Sequence, residues 1–257
     1  MNAALAELLP MINVGLWHGF SVFLRVAVLA SFIPAFGEQS VPTRIKLAVA
    51  LAFTFVIAPA VQPTPLVPSL DTVGWLALTE TLSGLFLGLG LRMFILGLQT
   101  AGSIAAQSTS LSQILGGAVA DPLPAMGYTL IIGGLALSVM YGIHVRVAQM
   151  VVFSYEMMPM GELPDGGTIS RWGVDQTRHA FALAFTLAAP FVILSVLYNL
   201  GLGFINKAMP QLMVAFVGAP LITAGGVILL YLAAPMMLTA WVAALNQFLA
   251  TPFVARP

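Results

Sequence analysis

From Ala208 to Ala255 the chain carries no charged side chain, and the preceding stretch Ala180–Asn206 is equally free of charge. A helix that crosses a bilayer needs about 20 apolar residues, so both stretches are long enough to cross one. They are also continuously apolar, whereas the strands of a membrane β-barrel alternate apolar and polar residues over about ten positions. The sequence therefore predicts an all-α, polytopic, membrane-type protein.

The small number of charges supports the same class. Only 7% of the 257 residues are charged and 60% are hydrophobic, whereas soluble domains are about a quarter charged. Much of the surface must therefore face lipid or other subunits. Nine cations balance nine anions without forming a basic stripe, so we expect no nucleic-acid partner. The first cation, Arg25, lies well inside an apolar run, which indicates a retained first helix rather than a cleaved signal peptide.

Charged and turn-forming residues divide the sequence into apolar runs separated by polar segments. The polar segments include Gln99–Pro124, which is too polar and Gly-rich to face lipid, and Gly161–Gln176. The final run has room for two helices, with Pro220 and Pro235 as candidate breaks. We expect roughly six to eight helical segments in a single domain, residues 1–257, without an internal repeat. The runs are Val14–Phe36, Leu47–Val61, Val73–Leu98, Ala125–Met158, Ala180–Asn206 and Ala208–Ala255.

Cations in the short loops predict the orientation in the membrane. Arg44 and Lys46 follow the first run and Lys207 follows the fifth, whereas the segment Gly161–Gln176 is net acidic. Cytoplasmic loops are enriched in Lys and Arg. We therefore expect the N-terminus outside and the loops that carry Arg44 and Lys207 in the cytoplasm. Pro42, Arg44 and Lys46 are expected on the cytoplasmic side or against a partner subunit.

Charges inside the apolar runs leave more than one interpretation open. A charge within hydrocarbon costs several kcal/mol unless it is paired or hydrated. Arg25 and Glu80 therefore either line a water-filled path or pair between helices, or they reach a helix end or a neighbouring subunit. For Arg92 and Arg146 the second kind of interpretation, snorkelling or subunit contact, is favoured.

Small residues and amides indicate contacts between helices. Glu80, Gly84 and Gly88 share an i, i+4, i+8 spacing, and two glycines four residues apart allow helices to approach closely. We therefore expect a packing face there. Amide side chains in the last two runs suit hydrogen bonds across helices. These amides are Asn199, Asn206, Gln211, Asn246 and Gln247.

No motif for catalysis or metal binding is present in the sequence. There is no HExxH, GxSxG or Walker-type Gly-Lys-Ser/Thr pattern, the patterns that carry metalloprotease, hydrolase and phosphate-binding chemistry. Cys is absent, and His18, His144 and His179 lack metal-ligand spacing. We predict a non-enzymatic protein with no catalytic residue, no cofactor and no metal.

Two blocks of the sequence carry specific residue patterns. The block Arg25–Ala60 has an Arg-bearing helix, a loop of the form P…S.P.R.K and an apolar helix ending in AP. The block Asn199–Leu221 has the form N..LG..N...PQ......G.P. The residues that carry the patterns are Pro34, Ser40, Pro42, Arg44, Lys46, Ala58 and Pro59 in the first block, and Asn199, Leu202, Gly203, Asn206, Pro210, Gln211, Gly218 and Pro220 in the second. Both blocks resemble the flagellar biosynthetic protein FliR family, and the resemblance runs through essentially the whole chain.

This resemblance implies an architecture and a role. FliR-type chains join FliP- and FliQ-type subunits in the export gate of the flagellar basal body, in the bacterial inner membrane, where FlhB- and FlhA-type proteins act beside it. The gate is the entry channel for unfolded export substrates, and its apolar segments form bent hairpins that contact partner subunits as well as membrane lipid. The interface residues expected here are Arg25, Glu80, Gly84, Gly88, Asn199, Asn206, Lys207, Pro210 and Gln211.

The resemblance also implies a plug-like loop inside the closed pore, at Gln107–Asp121. This segment is too polar for lipid, so it needs a protein-lined or wet cavity. The family pattern has aromatic residues in the loop, whereas this chain offers aliphatic side chains, which close a narrow pore by dewetting. The alternative is an ordinary ordered connector. The loop residues are Gln107, Leu111, Ile114, Leu115, Gly116, Gly117, Val119 and Asp121.

Three other functions remain as alternatives. The homologous subunit of a virulence injectisome would share the same blocks. A secondary transporter for a small solute would need a site near the middle of the membrane, often at broken helices of a repeated fold. An intramembrane enzyme would need a catalytic constellation, which the sequence lacks. Co-purification of FliP- and FliQ-type partners distinguishes a gate subunit from a transporter, which would be stable alone.

Overall fold

The computed structural model describes residues 2–63, 69–109, 125–209 and 214–253. Within these ranges the chain forms seven α-helices, one short 3₁₀ turn and no strand, so the all-α prediction is confirmed. The count also agrees with the predicted six to eight segments. The helices are α1 Asn2–Ala30, α2 Thr43–Ile57, α3 Leu70–Thr109, α4 Ala125–Met140, α5 Ile143–Met157, α6 Gly166–Ala208 and α7 Val214–Ala250, with the 3₁₀ turn Ala58–Ala60 after α2.

Length and apolar composition make the described part of the chain a membrane-type protein. Five of its helices are long and apolar enough to cross a bilayer, and a sixth span arises if α4 and α5 form one broken span. The predicted run Ala125–Met158 is thus divided, with a bend of 72° between its two helices. Gly142 makes the break, because its φ of 72° lies in the left-handed region, which glycine adopts without steric cost.

The last apolar run forms fewer helices than its length allows. It has room for two helices, with Pro220 and Pro235 as candidate breaks, but both prolines lie inside the single helix α7. Proline removes only one backbone donor from a helix. In an apolar environment a full break would leave several backbone groups without partners, so a helix that continues through the proline is the less costly structure.

The helix α3 extends further along the chain than the apolar run that predicted it. That run was expected to end at Leu98, with a polar segment from Gln99, but residues 99–109 continue α3 to Thr109. The hydroxyls of Ser108 and Thr109 donate to the carbonyls of Ile104 and Ala105, at 2.7 and 3.1 Å, so they need no water. The small residues make a close helix contact, since a Cβ added at Gly102 would overlap the backbone of Gly127 in α4.

The described residues pack as two compact units, each considered by itself. The first contains the described residues within 1–92, 138–176 and 246–257, and the second contains those within 93–137 and 177–245. Helices α3, α4, α6 and α7 contribute residues to both units. The prediction of a single domain stays a prediction. Fully buried core residues are Val22, Leu87, Leu91, Val147, Val151 and Phe248 in the first unit, and Leu98, Ala101, Leu130, Ala184, Phe191 and Trp241 in the second.

Asp165 caps the start of α6. Its Oδ2 atom accepts hydrogen bonds of 2.8 Å from both the backbone N–H and the hydroxyl of Thr168, and its carbonyl accepts from the N–H of Ile169 at 3.0 Å. These are the bonds that an N-cap residue supplies to the unpaired donors of a first turn. The hydrogen bonds from Thr168 lower the pKa of the Asp165 carboxyl.

We expect protection of the Thr168 amide against hydrogen exchange to decrease in acid. Because the pKa is lower in the folded chain, the cap stabilises the fold above the unfolded pKa of about 3.9, and its contribution is lost as pH falls through the lower folded value. Asp165→Asn should keep the cap, since Asn is a good N-cap residue, but lose this pH dependence. Asp165→Ala should lose protection at every pH. An Asn variant with the wild-type pH profile would contradict the assignment.

Candidate functional site

Arg25 of α1 and Glu80 of α3 form an ion pair inside the first unit. The Arg25 Nε atom lies 2.8 Å from Glu80 Oε2, and its Nη2 atom lies 3.1 Å from Oε1. Both side chains are completely buried. The two parallel bonds make this a bidentate pair, the strongest geometry available to an arginine and a carboxylate.

Two further segments complete the network around this pair. The Arg25 Nη1 atom donates to Ser154 Oγ at 2.9 Å, and Nη2 donates to the carbonyl of Met158 at 2.9 Å. The guanidinium also stacks on the Tyr155 ring, 3.7 Å from its centre. Four of the five N–H groups of Arg25 are therefore used.

The carboxylate of Glu80 is satisfied in the same way. Besides Arg25, it accepts a hydrogen bond of 3.2 Å from the Tyr155 hydroxyl and another of 3.2 Å from the backbone N–H of Gly161. Gly161 has a φ of 80°, a left-handed conformation that favours glycine. This turn brings the N–H back toward α3. The network thus joins α1, α3, α5 and the turn Met158–Gly161.

Helical periodicity explains why the two charges meet. In α1 the buried residues Val22, Val26 and Leu29 recur at helical spacing, and Arg25 falls on the same face. In α3 the buried face contains Leu76, Thr79, Glu80, Ser83 and Leu87. Once the two apolar faces pack together, each charge is taken out of solvent, and pairing is the way to offset the loss of hydration.

The two glycines of α3 make this packing possible. A Cβ added at Gly84 would collide with the backbone carbonyl oxygen of Arg25, and one added at Gly88 would lie 2.6 Å from the Phe32 ring. Glycine is therefore needed where α3 meets α1 and the turn that follows it. The spacing of Glu80, Gly84 and Gly88 does mark a packing face, and the face carries the ion pair.

The loop after α1 holds a second ion pair that sequence reasoning missed. Arg92 Nη1 lies 3.2 Å from Glu38 Oε1, with both side chains partly exposed. Arg92 was expected to snorkel or to contact a neighbouring subunit, but it pairs within the chain. Lys46 donates to the carbonyl of Gly37 at 2.9 Å, whereas Arg44 is exposed. Of these two cations, Arg44 is the more exposed, whereas Lys46 uses one of its three donors within the chain.

A cleft of about 390 Å³ lies beside the network in the first unit. Tyr155 belongs to both, since its hydroxyl binds Glu80 while its side chain lines the cleft. Glu156 is the one charged residue in the lining. Within the described ranges no three His, Asp or Glu side chains come together as metal ligands would. The lining residues are Ala60, Val61, Gln62, Val152, Tyr155, Glu156, Pro159 and Met160.

The remaining predicted site residues are not part of the network. Asn199, Asn206 and Lys207 are exposed near the end of α6. The Asn199 amide donates a hydrogen bond of 3.3 Å to Ser195 Oγ in its own helix, not to a residue of another helix. Gln107 is exposed in the last turn of α3. The plug-like residues Leu111, Ile114, Leu115, Gly116, Gly117, Val119 and Asp121 lie outside the described residues, as do Pro210 and Gln211.

Several helices leave most of their apolar surface uncovered. Inside the chain 61% of the span in α3 is buried, whereas the spans in α2, α6 and α7 are only 17%, 28% and 22% buried. Large side chains such as Phe55, Phe204 and Tyr231 are more than 70% exposed. A stable protein with this surface must contact lipid or other subunits. These features define a polytopic helical membrane protein built around a buried ion pair.

Comparison with known proteins agrees with this class and refines it. Residues 16–248 match the family described as bacterial export proteins, family 1. The flagellar biosynthetic protein FliR of Caulobacter vibrioides is 31% identical over 224 residues, which cover 86% of this chain and 89% of that protein. FliR of Escherichia coli is 29% identical, with 85% and 84% covered, and FliR of Bacillus subtilis is 26% identical, with 78% and 79% covered.

The chain belongs to the FliR family of bacterial export proteins. The resemblance seen in the sequence is thereby confirmed, and the chain is a component of flagellar export.

Proposed function

We propose that this chain is a non-enzymatic subunit of the flagellar type III export gate in the bacterial inner membrane. Together with FliP- and FliQ-type subunits it forms part of the channel for unfolded flagellar substrates, beside FlhB- and FlhA-type proteins. The observation that carries this proposal is the surface of α6, which exposes aromatic side chains along its length and an aromatic, an amide and a charged side chain near its end.

The apolar part of this surface needs a covering. Phe181, Phe185 and Phe204 in α6 are 56%, 60% and 74% exposed. Aromatic side chains of this size contribute most of the binding energy at protein interfaces when they are buried against a partner. Aromatic side chains are also compatible with lipid, so their exposure alone does not distinguish a partner subunit from the membrane.

The polar part of the surface favours protein. Asn206 and Lys207 are exposed directly beside Phe204 and Ile205, near the end of α6. A lysine facing hydrocarbon costs several kcal/mol, whereas a surface lined by protein or water can pair it. A helix end that mixes exposed aromatic and charged groups fits a contact with partner subunits in the membrane.

The buried network supports a structural role over a transport role. A transporter binds its solute near the middle of the membrane with polar groups that the solute can reach. The ionised groups of Arg25 and Glu80 are fully buried and bonded to protein atoms, so they offer nothing to a solute. The names of the relatives favour a flagellar role over an injectisome role. The plug at Gln107–Asp121 remains part of the proposal.

Co-purification tests the proposed function. The tagged chain, extracted from membranes with mild detergent, should carry FliP- and FliQ-type proteins with it. Phe204→Arg should reduce their recovery about tenfold or more, because the interface would lose an aromatic anchor and gain a charge. Ser170→Arg is the matched control, since Ser170 is also exposed in α6 but near its polar start. A chain that purifies alone and takes up a solute would contradict the proposal.

A further inference from the structure

The hydrogen bonds of Arg25 connect more of the first unit than a simple ion pair would. One guanidinium reaches Glu80 in α3, Ser154 in α5 and the carbonyl of Met158 in the following turn. The Glu80 carboxylate in turn accepts hydrogen bonds from the Tyr155 hydroxyl and from the backbone N–H of Gly161. No single helix can leave this arrangement without breaking bonds made by a buried charge.

Separation of these helices would be strongly opposed. Moving α1 from α3 would leave a guanidinium and a carboxylate unpaired where neither reaches water, because both side chains are completely buried. Moving α5 away would break the hydrogen bond from Arg25 to Ser154 Oγ and the hydrogen bond from the Tyr155 hydroxyl to Glu80 together. Such a network has one satisfied arrangement and only poor intermediate ones.

Sliding of α1 along α3 is opposed as well. Gly84 and Gly88 sit directly under the Arg25 backbone and the Phe32 ring. A shift along the helix axis would place side chains on the same face of α3, such as Leu87 and Leu91, where these glycines now allow contact. The close crossing therefore holds the helices in one register.

We propose that the Arg25–Glu80 network is a clamp that keeps α1, α3 and α5 together as one rigid body throughout export. This inference rests on the proposed gate function. The change of shape that admits a substrate then occurs without parting these three helices at the clamp. Arg25 and Glu80 are positioning residues in this role and have no contact with the substrate.

A disulfide across the crossing tests the clamp. A Cβ added at Gly88 would lie 3.1 Å from the Cβ of Phe32, and disulfides join Cβ atoms about 3.5–4.5 Å apart, so a shift of a few tenths of an ångström suffices. The chain contains no cysteine, so the pair Phe32→Cys and Gly88→Cys would be its only thiols. The single variants Phe32→Cys and Gly88→Cys are the controls.

Export should continue after oxidation of the double variant, at a rate within about twofold of its reduced rate. Loss of export on oxidation, with recovery on adding reductant, would overturn the clamp. Failure of the pair to form a disulfide under an oxidising catalyst would contradict the contact, and so the clamp. The wild-type chain tests the proposed function separately. If it neither exports nor binds FliP- and FliQ-type partners, the proposed function is refuted whatever the disulfide does.

Hydrogen exchange gives a second measurement that does not depend on the cysteine variants. In the assembled wild-type complex, amides in residues 22–30, 76–88 and 147–157 should exchange at the same rate with and without a stalled substrate in the channel. Faster exchange in any of these segments when substrate is present would overturn the clamp.

Discussion

Arg25→Ala should lower the free energy of unfolding by about 3–5 kcal/mol, a large effect for a single substitution. The reason is the partner left behind. The Glu80 carboxylate would remain buried with only the Tyr155 hydroxyl and the Gly161 N–H as donors. Ser154 and the carbonyl of Met158 would lose their donor at the same time. Denaturant unfolding of the purified chain in detergent measures the effect.

Two further variants test whether the stability loss of Arg25→Ala comes from the buried, unpaired charge. Arg92→Ala removes an arginine from a pair whose side chains are 28% and 18% exposed, and should cost less than about 1 kcal/mol. The double variant Arg25→Met with Glu80→Leu replaces the pair by apolar groups and should recover part of the loss, because no buried charge is left unpaired. The recovery is partial because Ser154, the Met158 carbonyl, the Tyr155 hydroxyl and the Gly161 N–H lose their partners in this variant. If Arg25→Ala costs no more than Arg92→Ala, the pair does not contribute as the geometry indicates.

Apolar patterning was sufficient to predict the class of the fold and most of its helices. The uncharged run Ala180–Asn206 lies within α6, and Val73–Leu98 lies within α3. Patterning failed where local residues were given too much weight. Pro220 and Pro235 do not end α7, and residues 99–109, which begin the polar segment Gln99–Pro124, are helical. In each case the surroundings decided, because a helix without access to water retains every backbone hydrogen bond it can.

The site was predictable only in part, for a related reason. Arg25 and Glu80 stood out as charges within apolar runs, but they are 55 residues apart, and nothing local indicates that they meet. Met158 and Gly161 take part through a backbone carbonyl and an N–H, which carry no side-chain signal. Glu38 lies in a polar loop where a carboxylate is ordinary. The roles of Ser154 and Tyr155 in the network become clear only when α5 is placed against α1 and α3.

Gly84→Ala tests the close crossing and should destabilise the fold by about 1–3 kcal/mol. Within a helix alanine is otherwise favoured over glycine by about 1 kcal/mol, so the expected sign is opposite to the intrinsic preference. The new methyl group would meet the backbone carbonyl of Arg25, which cannot rotate away as a side chain would. The helices would have to move apart, and the ion pair one turn away would lengthen.

Gly74→Ala is the control in the same helix, since nothing lies within 4 Å of a Cβ added there. It should leave stability unchanged or raise it by up to about 1 kcal/mol. The effects of removing the close crossing and the ion pair should also be coupled. In the Arg25→Ala background, Gly84→Ala should lower the free energy of unfolding less than in the wild type. Without the ion pair, α1 can move away from the new methyl group without breaking the bonds to Glu80. Equal effects of Gly84→Ala and Gly74→Ala, or strict additivity with Arg25→Ala, would show that close contact with Arg25 does not fix the position of α1.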